Sequence, residues 1–189
     1  MNVSGSSAPV PPQPDLRALA AFMADTGGAW RTVQAGDLDR VAGVEIRVWH
    51  PPLPDWERQR VRNDDSIVLE FRYGDVSLVL PGDIGREPEA VLAPRLELAP
   101  VVILKAPHHG SASSSTPPFV RAASPAVVVF SAGRNNPFGH PHPAVTARYR
   151  AAGAELFRTD QDGAVIVETD GSSVEIRTVS GRRVSIERH

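Results

Sequence analysis

Four short polar stretches each follow an apolar run, and together they hold the residue types that bind metal ions or activate water. The first is Leu80-Pro81-Gly82-Asp83. A glycine turn there brings the Asp83 carboxylate to the end of a strand, where it can bind or bridge cations, although a turn aspartate has the same local pattern. The second is Lys105-Ala106-Pro107-His108-His109-Gly110-Ser111. Paired imidazoles beside Gly-Ser have little packing rationale, and they can supply one metal ligand and one group that touches substrate. The third stretch, Ser131 to Pro143, carries His140 and His142 two residues apart among Gly, Asn and Pro; His142 also reads as the residue that starts a helix at Pro143. Asn63 and the pair Thr159-Asp160 complete the set, each equally readable as turn or cap. The run from Ser111 to Thr116, with four serines and one threonine, reads as a flexible loop.

Composition narrows the chemistry. The chain of 189 residues has no cysteine, so thiolate metal sites, disulfides and cysteine nucleophiles are excluded, leaving His, Asp and Glu as ligands. A formal charge of -2 gives no global footprint for nucleic acid, and nothing points to a small organic cofactor. No apolar run reaches the roughly 18 to 20 residues needed to cross a bilayer, and no signal-peptide pattern opens the chain.

The elements that must position these groups follow from periodicity. Residues 1–14 are small, polar and proline-rich and are expected to form a flexible leader. Leu16, Leu19, Ala20, Phe22 and Met23 have helical spacing behind Asp15 as cap, with Gly27-Gly28 as stop. Val44 to Val48 alternates as a strand, and Ser66 to Tyr73 and Val76 to Leu80 form a hairpin across Gly74-Asp75. A helix from near Glu87 should turn Ala90, Val91 and Leu92 inward. The runs Val101 to Leu104 and Ala126 to Phe130 suit strands buried on both faces, with a helix from Pro117 to Ala123 between them. Pro143 to Ala151 is a helix, and a hairpin across Asp170-Gly171 with an edge strand at Val184 to Ile186 closes the chain. The expected fold is α/β (α+β), a mixed β-sheet flanked by helices.

In order, the stretches Asn63 to Leu69, Leu78 to Asp83, Leu104 to Ser111, Ser131 to Asn135, Phe138 to Pro141 and Arg158 to Gly163 resemble the motifs of the ComEC-type metallo-β-lactamase domain. The match spans about residues 44–170, within a partial domain over 15–189. The resemblance implies an αββα sandwich of two similar halves, of which this would be the C-terminal half. It implies that Asp83 bridges two divalent ions, Zn or Mn, that His109 is a ligand, and that His108 touches a phosphate oxygen. Ser111, Asn63 and His140 would contact substrate. The implied activity is hydrolysis of DNA by a metal-bound hydroxide, in a protein attached to a membrane channel with its hydrolase domain outside the cytoplasm. The superfamily's H-x-H-x-D-H motif is absent: no histidine precedes His50. The metal site is therefore expected to be incomplete, with DNA, the missing N-terminal half and a channel domain as the implied partners. A non-catalytic truncated remnant acting as a binding module is the alternative. A phosphorylcholine-esterase-like hydrolase would need an aromatic pocket that the few aromatic residues do not suggest.

Overall fold

In the computed structural model the described residues are 14–28, 31–52 and 62–187, and the leader expected over residues 1–14 lies outside them apart from Pro14. The chain divides into two units, Met1–Val33 and Gln34–His189. The first contains helix α1 (Pro14–Asp25), which places Asp15 inside the helix and not at its cap. No helix among the described residues is long and apolar enough to cross a membrane.

The second unit is built on a seven-stranded mixed sheet in simple chain order: β1 (Leu38–Val41), β2 (Val44–His50), β3 (Val68–Tyr73), β4 (Val76–Leu80), β5 (Val101–Lys105), β6 (Val127–Phe130) and β7 (Glu155–Arg158). The first four pair antiparallel and the last four parallel. The parallel part needs crossover helices, and α2 (Arg86–Leu92), α3 (Pro117–Ala123) and α4 (Pro143–Ala151) provide them. A short helix α5 (Thr159–Asp162) leads to a separate antiparallel sheet of β8 (Val165–Thr169), β9 (Ser173–Thr178) and β10 (Arg183–Glu187).

Alternation along β5 shows why its run is apolar throughout. Val102 and Leu104 join a core with Phe119, Val120, Val145 and Tyr149 of the helices, while Val101 and Ile103 join one with Val174 and Ile176 of the small sheet. Each side chain meets a packed layer, so helices, large sheet and small sheet stack in that order. The mixed sheet flanked by helices expected from the sequence is present. Periodicity missed β1, β7 and α5, and it placed the final three strands without assigning them to a sheet of their own.

The inward face of α2 is a correction. Ala90 and Val91 point to solvent, whereas Pro88, Glu89 and Leu92 are buried. Hydrophobicity failed here because Glu89 is recruited by backbone donors: its carboxylate accepts the Ser115 and Thr116 N–H groups at 2.5 and 2.6 Å. A second buried carboxylate, Glu70, is satisfied by Ser77 Oγ at 2.6 Å and Trp49 Nε1 at 2.9 Å, linking β2, β3 and β4.

The turn between β8 and β9 carries a pH signature. Asp170 accepts the Ser172 and Ser173 N–H groups at 2.9 and 2.8 Å, and both hydroxyls as well, which holds its carboxyl well below the usual aspartate range. A depressed folded-state pKa means the stabilisation is present above the unfolded value of about 4 and lost as pH falls toward the folded one. Thermal unfolding between pH 5 and pH 2.5 (on the order of the window set by those pKa values) should therefore show a loss of stability that is smaller in Asp170→Asn.

Candidate functional site

Parallel pairing decides where the motifs go. Because β4 to β7 run the same way, the stretches following them all emerge at one rim of the sheet, where sites form in folds of this kind. β3 runs antiparallel to β4, so the segment before it, Asn63 to Ser66, arrives at the same rim. Ser66 Oγ accepts the Asp83 N–H at 3.1 Å, and its carbonyl bonds His50 Nδ1 at 3.0 Å.

Asp83 is delivered by Gly82, whose φ of +61° and lack of a side chain are both needed: a Cβ there would lie 2.6 Å from Ser66 Cβ. The Asp83 carboxylate is 3.4 Å from His109 Nε2 and 3.8 Å from Lys105 Nζ. Nδ1 of His109 donates to the Ser131 carbonyl at 2.6 Å, so in the neutral ring Nε2 presents a lone pair toward a carboxylate oxygen. Two acceptors face one another, and the arrangement calls for a proton or a cation between them.

His108, His109 and Gly110 form a run of left-handed residues, with φ of 47°, 54° and 84°. Each non-glycine residue there costs about 1–2 kcal/mol. Packing imposes it: His108 N–H donates to the Gly82 carbonyl at 3.0 Å, Ser111 N–H to the His108 carbonyl at 2.9 Å, and His142 N–H to the Gly110 carbonyl at 2.9 Å. At Gly110 a Cβ would meet Phe130 and Pro141 at 2.7 Å. The strain separates the two rings. His108 Nε2 accepts from Asn63 Nδ2 at 3.4 Å, and both side chains line a cleft of about 350 Å³ with Asp83, Asp64, Arg86 and Ser113.

His140 reaches the site from the loop after β6, its ring edge-on to His108 at 5.9 Å. Among the described residues its buried Nδ1 has no hydrogen-bond partner. Burial, reinforced by the rings of His108, His109 and His142, holds this imidazole below the usual histidine range, and Asp83 opposes the shift. Lys105 is also held below its usual range by burial, with Asp83 pulling it back up. Its ammonium donates to the carbonyls of Gly82 and Ala106 at 3.3 Å each.

Other candidates fall into supporting positions. Ser111 Oγ is engaged with Ser113 at 3.0 Å inside the loop, and Ser113 lines the cleft in its place. His142 is the N-cap of α4, its Nδ1 accepting the Ala144 N–H at 3.2 Å. Thr159 and Asp160 tie the rim: Thr159 Oγ1 donates to the Ala132 carbonyl at 2.8 Å, and Asp160 takes a two-point contact from Arg158. Sequence reasoning did not single out Lys105, Asp64 or Ser113. Asp64 Oδ1 accepts the Gly85 N–H at 2.7 Å, a pairing across 21 residues that no local pattern reveals. Among the described residues no group of three or more His, Cys, Asp or Glu side chains is gathered closely enough to hold a metal ion.

No protein-family profile matches the chain. It is similar to ComE operon protein 3 of Bacillus subtilis, with 30% identity over 141 residues, 75% of this chain and 18% of that protein. Competence protein ComA of Neisseria gonorrhoeae is 38% identical over 127 residues, 65% of this chain and 18% of the relative. Recombination protein 2 of Haemophilus influenzae is 30% identical over 118 residues, 62% and 15% of the respective chains. The chain thus spans less than a fifth of the length of these relatives. The similarity over most of its length, with the ordered motifs at one rim, makes this chain a member of the ComEC family and a ComEC-type C-terminal domain.

Proposed function

We propose that this chain supplies one side of a metal-dependent phosphodiesterase site that acts on DNA. The observation that carries the reading is the 3.4 Å approach of His109 Nε2 to Asp83 Oδ1 while the other ring nitrogen is committed to Ser131. An imidazole nitrogen and a carboxylate oxygen converging in this way are a donor pair that zinc or manganese accepts. The carbonyl behind His109 fixes the tautomer and aims the ring, as the outer partners of metal-binding histidines do. Bound divalent ions would acidify water and stabilise negative charge on phosphorus.

The chain's own residues then have distinct tasks. Asp83 and His109 would hold the cation. Lys105, 3.8 Å from Asp83, orients its carboxylate. His108, by accepting from Asn63 across the cleft, leaves the second amide hydrogen of Asn63 for a phosphate oxygen, and His140 backs the His108 ring. Catalytic zinc takes about three protein ligands and a two-ion site takes more, so a working site would need further ligands of the kind an H-x-H-x-D-H segment supplies. DNA as substrate is supported by similarity to proteins named for competence and for recombination. A second reading, a non-catalytic binding module, is favoured by one contact: the Lys105 ammonium already gives Asp83 a cationic neighbour without any metal.

The test combines Mn²⁺ titration, followed by electron paramagnetic resonance, with degradation of single-stranded DNA. The chain alone should bind Mn²⁺ weakly and saturably, lose that binding in Asp83→Ala and in His109→Ala, and not cleave DNA. Cleavage should appear when a polypeptide carrying the H-x-H-x-D-H segment is added. Binding indifferent to Asp83 would leave the binding-module reading standing. Chelator-sensitive cleavage by the chain alone would show that its own residues complete the site.

A further inference from the structure

We infer that Phe138 is a stacking platform for an unpaired nucleobase beside the phosphodiester site. The inference rests on the DNA reading above and adds the form of DNA that the site takes. Phe138 is 78% exposed, yet it does not sit on a slack loop. The Asn136 side chain accepts the His140 N–H at 2.9 Å and donates to the carbonyls of His140 and Gly133 at 2.7 and 3.1 Å. Arg134 Nε donates to the Asp160 carbonyl at 3.1 Å, and the Ala132 N–H to Thr159 Oγ1 at 2.9 Å. The loop is therefore pinned at both ends, and the phenyl ring is held out in a fixed place.

The ring's surroundings give it a direction. Phe138 stacks on His140 with centroids 5.9 Å apart and planes 24° from parallel. His140 meets His108 edge-on at 5.9 Å, and His108 lines the cleft that contains Asp83. A series of rings thus leads from the cleft outward and ends in a phenyl that is largely exposed. Every base has a π face, so stacking on an aromatic ring is a sequence-tolerant way to hold a strand whose phosphate lies nearby.

Chemistry favours a base over an apolar protein surface. Around Phe138 the exposed side chains of the same loop include Arg134, Asn135 and His142, which offer a nucleotide polar and cationic contacts beside the ring. A base in a duplex is already stacked on both faces, so the platform selects single strands or frayed ends.

Fluorescence anisotropy in chelator tests this without any cleavage, using the chain with a labelled oligothymidylate, a strand of the same length with abasic sugars, and a duplex. Phe138→Ala should weaken oligothymidylate binding by about tenfold and leave abasic and duplex binding unchanged. Phe138→Trp should restore the affinity, and the introduced tryptophan should be quenched by oligothymidylate and not by the abasic strand. Equal binding of oligothymidylate by the parent and Phe138→Ala, equal losses for normal and abasic strands, or no binding of any strand would each overturn the platform. The functional reading is judged separately by cleavage in the assembled domain. Metal-dependent cleavage with no base discrimination would sink the platform alone, and discrimination without cleavage would sink the nuclease reading alone.

Discussion

Asp83→Ala, tested with an added H-x-H-x-D-H polypeptide, should on the proposed reading lower the rate of DNA hydrolysis by about a thousandfold or more, on the order of 4 kcal/mol of transition-state stabilisation. The carboxylate faces both the His109 ring and the Lys105 ammonium, at 3.4 and 3.8 Å. On the proposed reading, removing it takes away a cation ligand, and it leaves a half-buried lysine without its carboxylate. Asp83→Asn should be nearly as damaging, because an amide keeps the shape and loses the charge that holds a divalent ion. His109→Ala should fall in the same range. Lys105→Ala should cost less, about tenfold, and should act through metal affinity, since Lys105 positions Asp83 without itself being a ligand. The Asp83 side chain is 38% exposed, so its substitution should leave the urea midpoint within the small range typical of surface changes, about 0.5 kcal/mol. A thousandfold loss accompanied by unfolding would remove the catalytic interpretation. Hydrolysis rates and urea curves on the same preparations separate the two.

Glu89→Ala should have the largest effect on stability, about 3 kcal/mol or more. The side chain is fully buried and is the acceptor for two backbone donors, Ser115 and Thr116, just before α3. Truncation strands both N–H groups, at about 1–3 kcal/mol each. The same loop is held by Tyr149, whose hydroxyl donates to Ser115 Oγ at 3.0 Å, and by Arg148, which donates to the Ser115 carbonyl. Ser115 itself has φ of 58°, so the loop depends on these contacts to keep a left-handed residue in place. Because the serine loop also carries Ser113 into the cleft, the loss should reach the site as a weaker affinity for DNA.

Glu89 also imparts a pH dependence with a definite sign. Burial pushes its carboxyl above the usual glutamate range, and the Thr116 and Ser115 bonds only partly offset this. The folded state then holds the proton more tightly than the unfolded chain, so stability declines as pH rises from about 4 through the folded-state value. Glu89→Gln, which keeps one acceptor and cannot ionise, should be less stable than the parent at every pH and should lack that decline. Urea unfolding followed by circular dichroism from about pH 4 to pH 7 reads both features.

Much of the scaffold was legible because its signals are local. The apolar runs that became β5 and β6 are continuous since both faces are covered, and Pro143 and Gly153 bracket α4 through backbone geometry alone. β7 was not legible. Its four residues, Glu155 to Arg158, include a single fully buried side chain, Phe157, and its strand character comes from pairing with β6. β1 is exposed along its whole length and exists because it pairs with β2 across a two-residue turn. The face of α2 was misread because a glutamate bonded to two amides can be buried where a valine is not.

For the candidate site, the sequence by itself determined which residue types stand at strand ends: Asp83 after a glycine, His108 and His109 before one, and His140 in a loop rich in Asn and Pro. These are consequences of strand periodicity and turn chemistry, which act over a few residues. Only the tertiary structure decided that these ends meet, because parallel order from β4 to β7 sets all of them on one rim. It also decided how the adjacent histidines differ. A left-handed backbone imposed by Gly82, Phe130 and Pro141 turns one ring toward Asp83 and Ser131 and the other toward Asn63. Those partners lie 22 to 45 residues away in the chain for the bonds to Ser131 and Asn63, and contacts across such separations depend on packing that no local pattern encodes.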